Sequence, residues 1–147
     1  MDAGIAEIKI KSESGAMPSY ETAGAAGMDI KAFIESDMTI LPGKTAMIKT
    51  GIRIELPCGY EAQLRARSGL AARHGIGLVN GGGTLDSDYR GEIKAMLINW
   101  GEEPVTIRDG ERIAQLVIAR YEKAKLIPAD DLSGTERSEG GFGHTGI

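Results

Sequence analysis

Apolar and polar residues alternate along most of this chain, and that alternation sets the first expectations. Tyr60, Ala62, Leu64 and Ala66 alternate with Glu61, Gln63, Arg65 and Arg67, as in a strand with one buried and one solvated face. Ala46 to Leu56 predicts a longer strand, with Ile52, Ile54 and Leu56 on one side and Arg53 and Glu55 on the other. Shorter stretches read as strands too: Ile5 to Ile10, Ala26 to Phe33, Thr39 to Leu41, Glu92 to Trp100, Val105 to Ile107 and Arg112 to Tyr121. Pro42-Gly43, Pro57-Cys58-Gly59 and Asp109-Gly110 supply turns between them. Residues 12–27, small and polar with Pro18 and three glycines, read as a loop. The pattern changes at Ser68 to His74, which suits one short helix with Ser68 as its N-cap and Gly75 past its end.

The alternation breaks again at Asn80 to Gly91. Gly81, Gly82 and Gly83 give a bare tip that a ligand can approach closely. Thr84 and Leu85 then read as a short extended piece, followed by Asp86, Asp88 and Tyr89. The expected shape is a hairpin whose backbone N–H and C=O groups stay open for a flat polar ring. Alone, the stretch is equally an acidic loop between strands. From Asp130 onward apolar content falls away, so a domain over 1–133 and a flexible tail over 134–147 are expected.

Composition sharpens this. The 147 residues suit one domain with a modest core, and 21 glycines without a Gly-X-Y period favour many tight turns, hence an all-β chain. A net charge of −4 argues against stable nucleic-acid binding. A single cysteine, Cys58, rules out an intrachain disulfide and a cysteine zinc site, and reads as a packing residue or turn thiol. No apolar run approaches membrane-spanning length and no signal-peptide core opens the chain, so a soluble cytoplasmic protein is expected.

Candidate chemistry gathers at a few places. Arg67-Ser68-Gly69 joins a strand to a helix start, where free N–H groups, a hydroxyl and a guanidinium make a phosphate site; a capped helix with a surface arginine is the plainer reading. Phe142, among Gly140, Gly141 and Gly143, has no secondary structure to hold it in a core, which suits a ring that stacks on a planar ligand. Arg137 and Thr145 on the same tail could reach anionic oxygens, and His144 is a further phosphate candidate. Asp29, Asp86 and Asp88 are candidate carboxylates for a metal or a water, although aspartates beside glycine often only form turns. His74 suits the helix end and receives no catalytic role.

Five segments stand in one order: Ala26-Gly-Met-Asp-Ile-Lys-Ala32, Ala66-Arg-Ser-Gly-Leu-Ala71, Asn80 to Gly91, Gly110-Glu-Arg-Ile-Ala-Gln-Leu116, and Arg137 to Gly146. The chain thereby resembles the trimeric deoxyuridine triphosphatase (dUTPase) family over nearly its whole length. The resemblance implies a jelly-roll-like (β-clip) subunit, a homotrimer with sites shared between subunits, and Mg²⁺-dependent hydrolysis of dUTP to dUMP and pyrophosphate. It implies that Asp86 deprotonates the water that attacks the α-phosphorus. Asn80, Gly83, Thr84 and Leu85 would read the uracil edge, and Tyr89 would pack on the sugar and exclude a 2′-hydroxyl. Arg67, Ser68, Gly69 and Gln115 would hold phosphate oxygens, with Lys94 a further nucleotide contact. Arg137 and Thr145 would hold the terminal phosphate, Phe142 would cover the uracil, Gly143 would also bind substrate, and Asp29 would act on the metal through water only.

The chain departs from the family pattern at Ala66, where proline is usual, at Gly81-Gly82, and at His144, where serine is frequent. Two other readings share the fold: a dCTP deaminase, and a non-catalytic nucleotide-binding regulatory trimer. The Asp86–Tyr89 spacing resembles the triphosphatase instead.

Overall fold

A computed structural model describes residues 4–146. The expected boundaries 1–133 and 134–147 therefore include residues 1–3 and 147, which lie outside the described residues. The strands are β1 (Lys9–Ser12), β2 (Gly27–Lys31), β3 (Met38–Ile40), β4 (Thr45–Glu55), β5 (Tyr60–Arg65), β6 (Ile76–Leu78), β7 (Gly83–Leu85), β8 (Ile93–Asn99), β9 (Val105–Ile107) and β10 (Arg112–Arg120). One helix, α1 (Ser68–His74), lies between β5 and β6. One antiparallel sheet runs β1-β4-β8-β6 and the other β2-β10-β5-β7, with β3 and β9 forming a separate ribbon. This is an all-β, jelly-roll-like subunit.

Alternation puts the apolar face of each sheet inward. Ile93, Ala95 and Leu97 of β8 and Ala62 and Leu64 of β5 belong to one buried cluster with Ile30, Ile113 and Leu116. Each such Leu or Ile contributes about 1.5–3 kcal/mol when removed from water. Among the described residues two polar ones are buried, Thr50 and Asn99, and the Asn99 side chain is hydrogen-bonded through both its nitrogen and its oxygen. Its Nδ2 donates to Ile40 O at 2.9 Å and Glu103 O at 2.7 Å, and its Oδ1 accepts from Gly101 N at 2.9 Å.

Three local expectations need correction. The first strand begins at Lys9 rather than Ile5, because its pairing starts at Lys9 opposite Glu55, where β4 ends; Ile5 is left 93% exposed. Asn80 to Gly91 is not a simple hairpin. β7 pairs with β5, in one sheet, while the flanking β6 and β8 pair with each other in the other sheet. The chain thus leaves one sheet, adds a three-residue edge strand to the second, and returns. Finally, Ser68 is not the N-cap. The extended backbone of β5 continues through Arg67, which takes the cap position at φ −87° and ψ 128° with no side chain bonded there, while Gly75 ends the helix as expected at φ 68°.

An irregularity in β4 bears on the site. Lys49 pairs with Lys94 and Ile52 with Ile93, so three steps on β4 answer one on β8. Thr50 Oγ1 donates to Ile93 O and accepts from Ile52 N, and Gly51 N donates to Glu92 Oε1 at 3.0 Å. The bulge thereby anchors Glu92 at the entrance to β8.

Candidate functional site

The first group of candidates sits where β2, β5 and β10 end together. Asp29, on β2, faces Gln115 on β10 in register, and Gln115 faces Arg65 on β5. Asp29 is mostly buried, and its two oxygens accept from Arg67 Nε at 3.1 Å and from Arg112 Nη1 at 3.2 Å. Arg67 Nη1 also donates to Arg112 O at 3.3 Å. A guanidinium has five N–H groups, so Arg67 keeps donors for an incoming anion. Gln115 lies across Gly27 and donates from Nε2 to Ala66 O at 3.1 Å. That bond holds the strand end where proline is missing. Ser68 and Gly69 follow at once, in the first turn of α1, where backbone N–H groups have no intrahelical acceptor. Arg112 was not singled out from the sequence; it lies within the fourth motif, but only the register of β2 against β10 reveals its partner.

The second group surrounds β7. Gly81 N donates to Leu78 O and Gly82 N to Asn80 O, closing the tip. Leu85, Thr84 and Gly83 face Ala62, Gln63 and Leu64 of β5 on one edge. β7 ends its sheet, so its other edge meets no strand among the described residues. The open backbone expected of this stretch is therefore present, on an edge strand rather than a hairpin. Asp86 follows, exposed, its carboxylate without a hydrogen bond or ion pair among the described residues. Tyr89 N donates to Asp86 O at 3.1 Å, and the Tyr89 hydroxyl donates to Glu92 O at 3.0 Å. Asp86, Tyr89 and Glu92 thus form one braced turn. Lys94 lies beyond it on β8, exposed and opposite Lys49.

These two groups are far apart in one subunit. Leu85 faces Ala62, so Asp86 lies beside Glu61, six positions from Arg67 along β5. At about 3.3 Å per residue the separation is on the order of 20 Å.

The tail forms a third group. Beyond Arg120 the described chain has no helix or strand. Ser138 N, Gly140 N, His144 N and Gly146 N donate to carbonyls within the tail, Ser138 N also to Thr135 Oγ1 at 3.0 Å, and Arg137 Nε donates to Gly140 O at 2.8 Å. The backbone N–H groups of Gly141, Phe142, Gly143 and Thr145 donate to no backbone acceptor among the described residues. Phe142 stands fully exposed, at a left-handed φ of 51°. Such successive turns leave concave arrays of N–H groups suited to anions.

No group of three or more His, Cys, Asp or Glu side chains could hold a metal among the described residues. Asp29 is already engaged by two guanidinium groups. The described side chains therefore offer no protein cage for a cation. Cys58 sits exposed in the turn before β5, as a turn thiol. No described helix is long and apolar enough to cross a membrane.

The described chain is thus an antiparallel jelly-roll-like subunit with a guanidinium–carboxylate ledge where β2, β5 and β10 meet and an open edge strand followed by an exposed carboxylate. The chain belongs to the dUTPase family, whose sequence model matches residues 13–146. It is 56% identical over 131 residues to the deoxyuridine 5′-triphosphate nucleotidohydrolase of Caldanaerobacter subterraneus subsp. tengcongensis, covering 89% of this chain and 88% of that one. It is 51% identical over 137 residues to the enzyme of the same name from Desulfotalea psychrophila, covering 93% and 91%. Among solved structures it resembles the Staphylococcus bacteriophage 80alpha dUTPase with dUPNHPP, with a TM-score of 0.86, 26% identity, and 96% of this chain and 99% of that one covered. A mutant dUTPase from phage phi11 of S. aureus, described with a structural Mg(II) ion, shares the fold at 22% identity and a TM-score of 0.76, covering 85% and 97%. The family match favours the triphosphatase over the deaminase.

Proposed function

We propose that this chain hydrolyses dUTP to dUMP and pyrophosphate, keeping uracil out of DNA and supplying dUMP for thymidylate synthesis in the cytoplasm. Family membership across residues 13–146, with Asp86, Tyr89 and the Arg67–Gln115 ledge all in place, carries the reading. Asp86 takes a proton from water, the water oxygen bonds to the α-phosphorus, and the bond from that phosphorus to the bridging oxygen breaks, releasing pyrophosphate. An exposed carboxylate without a competing partner suits that role. In-line attack on phosphorus needs positioning and charge neutralisation more than covalent help. A Mg²⁺ brought with the triphosphate would supply part of that neutralisation, and Asp29 would be the residue to act on it, through water only.

The remaining residues bind. The free edge of Gly83, Thr84 and Leu85, with Asn80, pairs with the uracil edge as a neighbouring strand would. Tyr89 packs on the deoxyribose and leaves no room for a 2′-hydroxyl. Arg67, Ser68, Gly69 and Gln115 take phosphate oxygens, and Lys94 adds a nucleotide contact. Arg137 and Thr145 of the tail close on the terminal phosphate, Phe142 covers the uracil, and Gly143 also binds substrate. The tail, 134–147, acts as a substrate-covering segment distinct from the domain over 1–133.

The site is shared within a homotrimer. A water poised on Asp86 and a phosphate on Arg67 must lie within a few ångströms of one nucleotide, yet one subunit separates these residues by on the order of 20 Å. The ledge of one subunit therefore works with the edge strand of another. Pyrophosphate release from dUTP, dCTP, dTTP and UTP tests the activity. Strong release from dUTP alone is expected; ammonia from dCTP would favour the deaminase.

A further inference from the structure

Gly91 stands two residues before β8. Its backbone is not in the left-handed region that glycine serves at Gly81, Gly110 and elsewhere. The backbone alone therefore leaves it free to be alanine. What forbids a side chain is Tyr89: a Cβ at residue 91 would lie 2.7 Å from Tyr89 Cε2 and nearer still to Cζ and the hydroxyl oxygen. The hydroxyl end of the phenol packs against Gly91, with its hydroxyl tied to Glu92 O at 3.0 Å. Glu92 is held in turn by Gly51 N through its Oε1 at 3.0 Å. The hydroxyl end of the ring is thus held in place, while 43% of the residue is exposed.

We propose that Gly91 is a positioning residue that sets sugar specificity by fixing the height of the Tyr89 ring. This rests on the reading that the Tyr89 ring excludes a 2′-hydroxyl. A hydroxyl adds one oxygen to the sugar, so excluding it requires the ring to be placed within a fraction of an ångström. A methyl at 91 lifts the ring and breaks its bond to Glu92 O. Because the ring is half-exposed and outside the core cluster, the ring gives way rather than the fold. Gly91→Ala then loosens the sugar pocket while the strands on either side stay paired.

The test is a double-mutant cycle on the ratio of kcat/KM for UTP to that for dUTP, using the full-length wild type, Tyr89→Ala, Gly91→Ala and the double variant. Tyr89→Ala should raise the ratio by at least tenfold, and Gly91→Ala by several-fold. In the Tyr89→Ala background, Gly91→Ala should add nothing, since its effect passes through the ring. An unchanged ratio in Tyr89→Ala overturns the underlying reading of Tyr89. A raised ratio in Tyr89→Ala with none in Gly91→Ala overturns the inference about Gly91, as does an equal effect of Gly91→Ala in both backgrounds. A Gly91→Ala chain that fails to fold contradicts it too, because the fold and not the ring would then have yielded.

Discussion

The roles proposed for Asp86 and Phe142 can be separated residue by residue. Asp86 is exposed and spends its carboxylate on no neighbour, so changing it should leave the fold alone. Asp86→Asn keeps the shape but cannot accept the proton. Turnover should fall by on the order of 10²–10⁴, with dUPNHPP affinity within a few-fold of wild type. Steady-state kinetics paired with calorimetric titration of dUPNHPP check both halves; near-normal turnover removes Asp86 from the mechanism. Phe142 has no packing to lose, being fully exposed. Phe142→Ala should leave thermal stability unchanged and raise KM for dUTP by about tenfold or more, the scale of one lost aromatic stack. A lowered melting temperature would instead place the ring in a packed role.

At the scale of elements, the regular strands were legible and their partners were not. In β5 the alternation of Ala62 and Leu64 with Gln63 and Arg65 fixed both the strand and its buried face, because the period of two survives wherever one face is wet. β7 has only three residues. Nothing in its sequence distinguishes pairing with β5 from pairing with β8, and the open edge that matters for a ligand follows from that choice. The Asp29–Arg67–Arg112 group was legible only in part for the same reason: its members are separated in sequence by 38 and 83 residues and meet through register. The N-cap was misplaced by one residue because a serine before an apolar turn is a cap signal, whereas here extended backbone continues beyond β5 through Arg67. Asn99 offers a structural test at this scale. It ties the end of β8 to β3 and to the loop at Glu103. Asn99→Ala strands buried polar groups and should cost about 2–4 kcal/mol, read as a lowered urea midpoint. A change below about 0.5 kcal/mol would mean that water replaces all three bonds.

At the scale of the whole molecule, the five motifs were legible as an ordered set, and through the family resemblance they already implied a homotrimer. Composition predicted that the tail lacks a core, and its hydrogen bonds beyond Gly134 stay within the tail among the described residues. Metal dependence belongs here too. With no described cluster able to cage a cation, chelation by EDTA should stop turnover and leave the melting temperature of the nucleotide-free protein unchanged. A large loss of stability on chelation would point to a structural metal instead.

The most direct test of the shared site is to mix two inactive chains, Asp86→Asn and a truncation ending at Ser133. A working site would take its edge strand from a truncated chain and its tail from an Asp86→Asn chain. Under equal random mixing each condition is met half the time, so about a quarter of wild-type activity should return. If each tail served its own subunit's edge strand, no mixed trimer would hold a complete site. Activity no higher than either parent, with subunit exchange demonstrated by mass, would contradict the account.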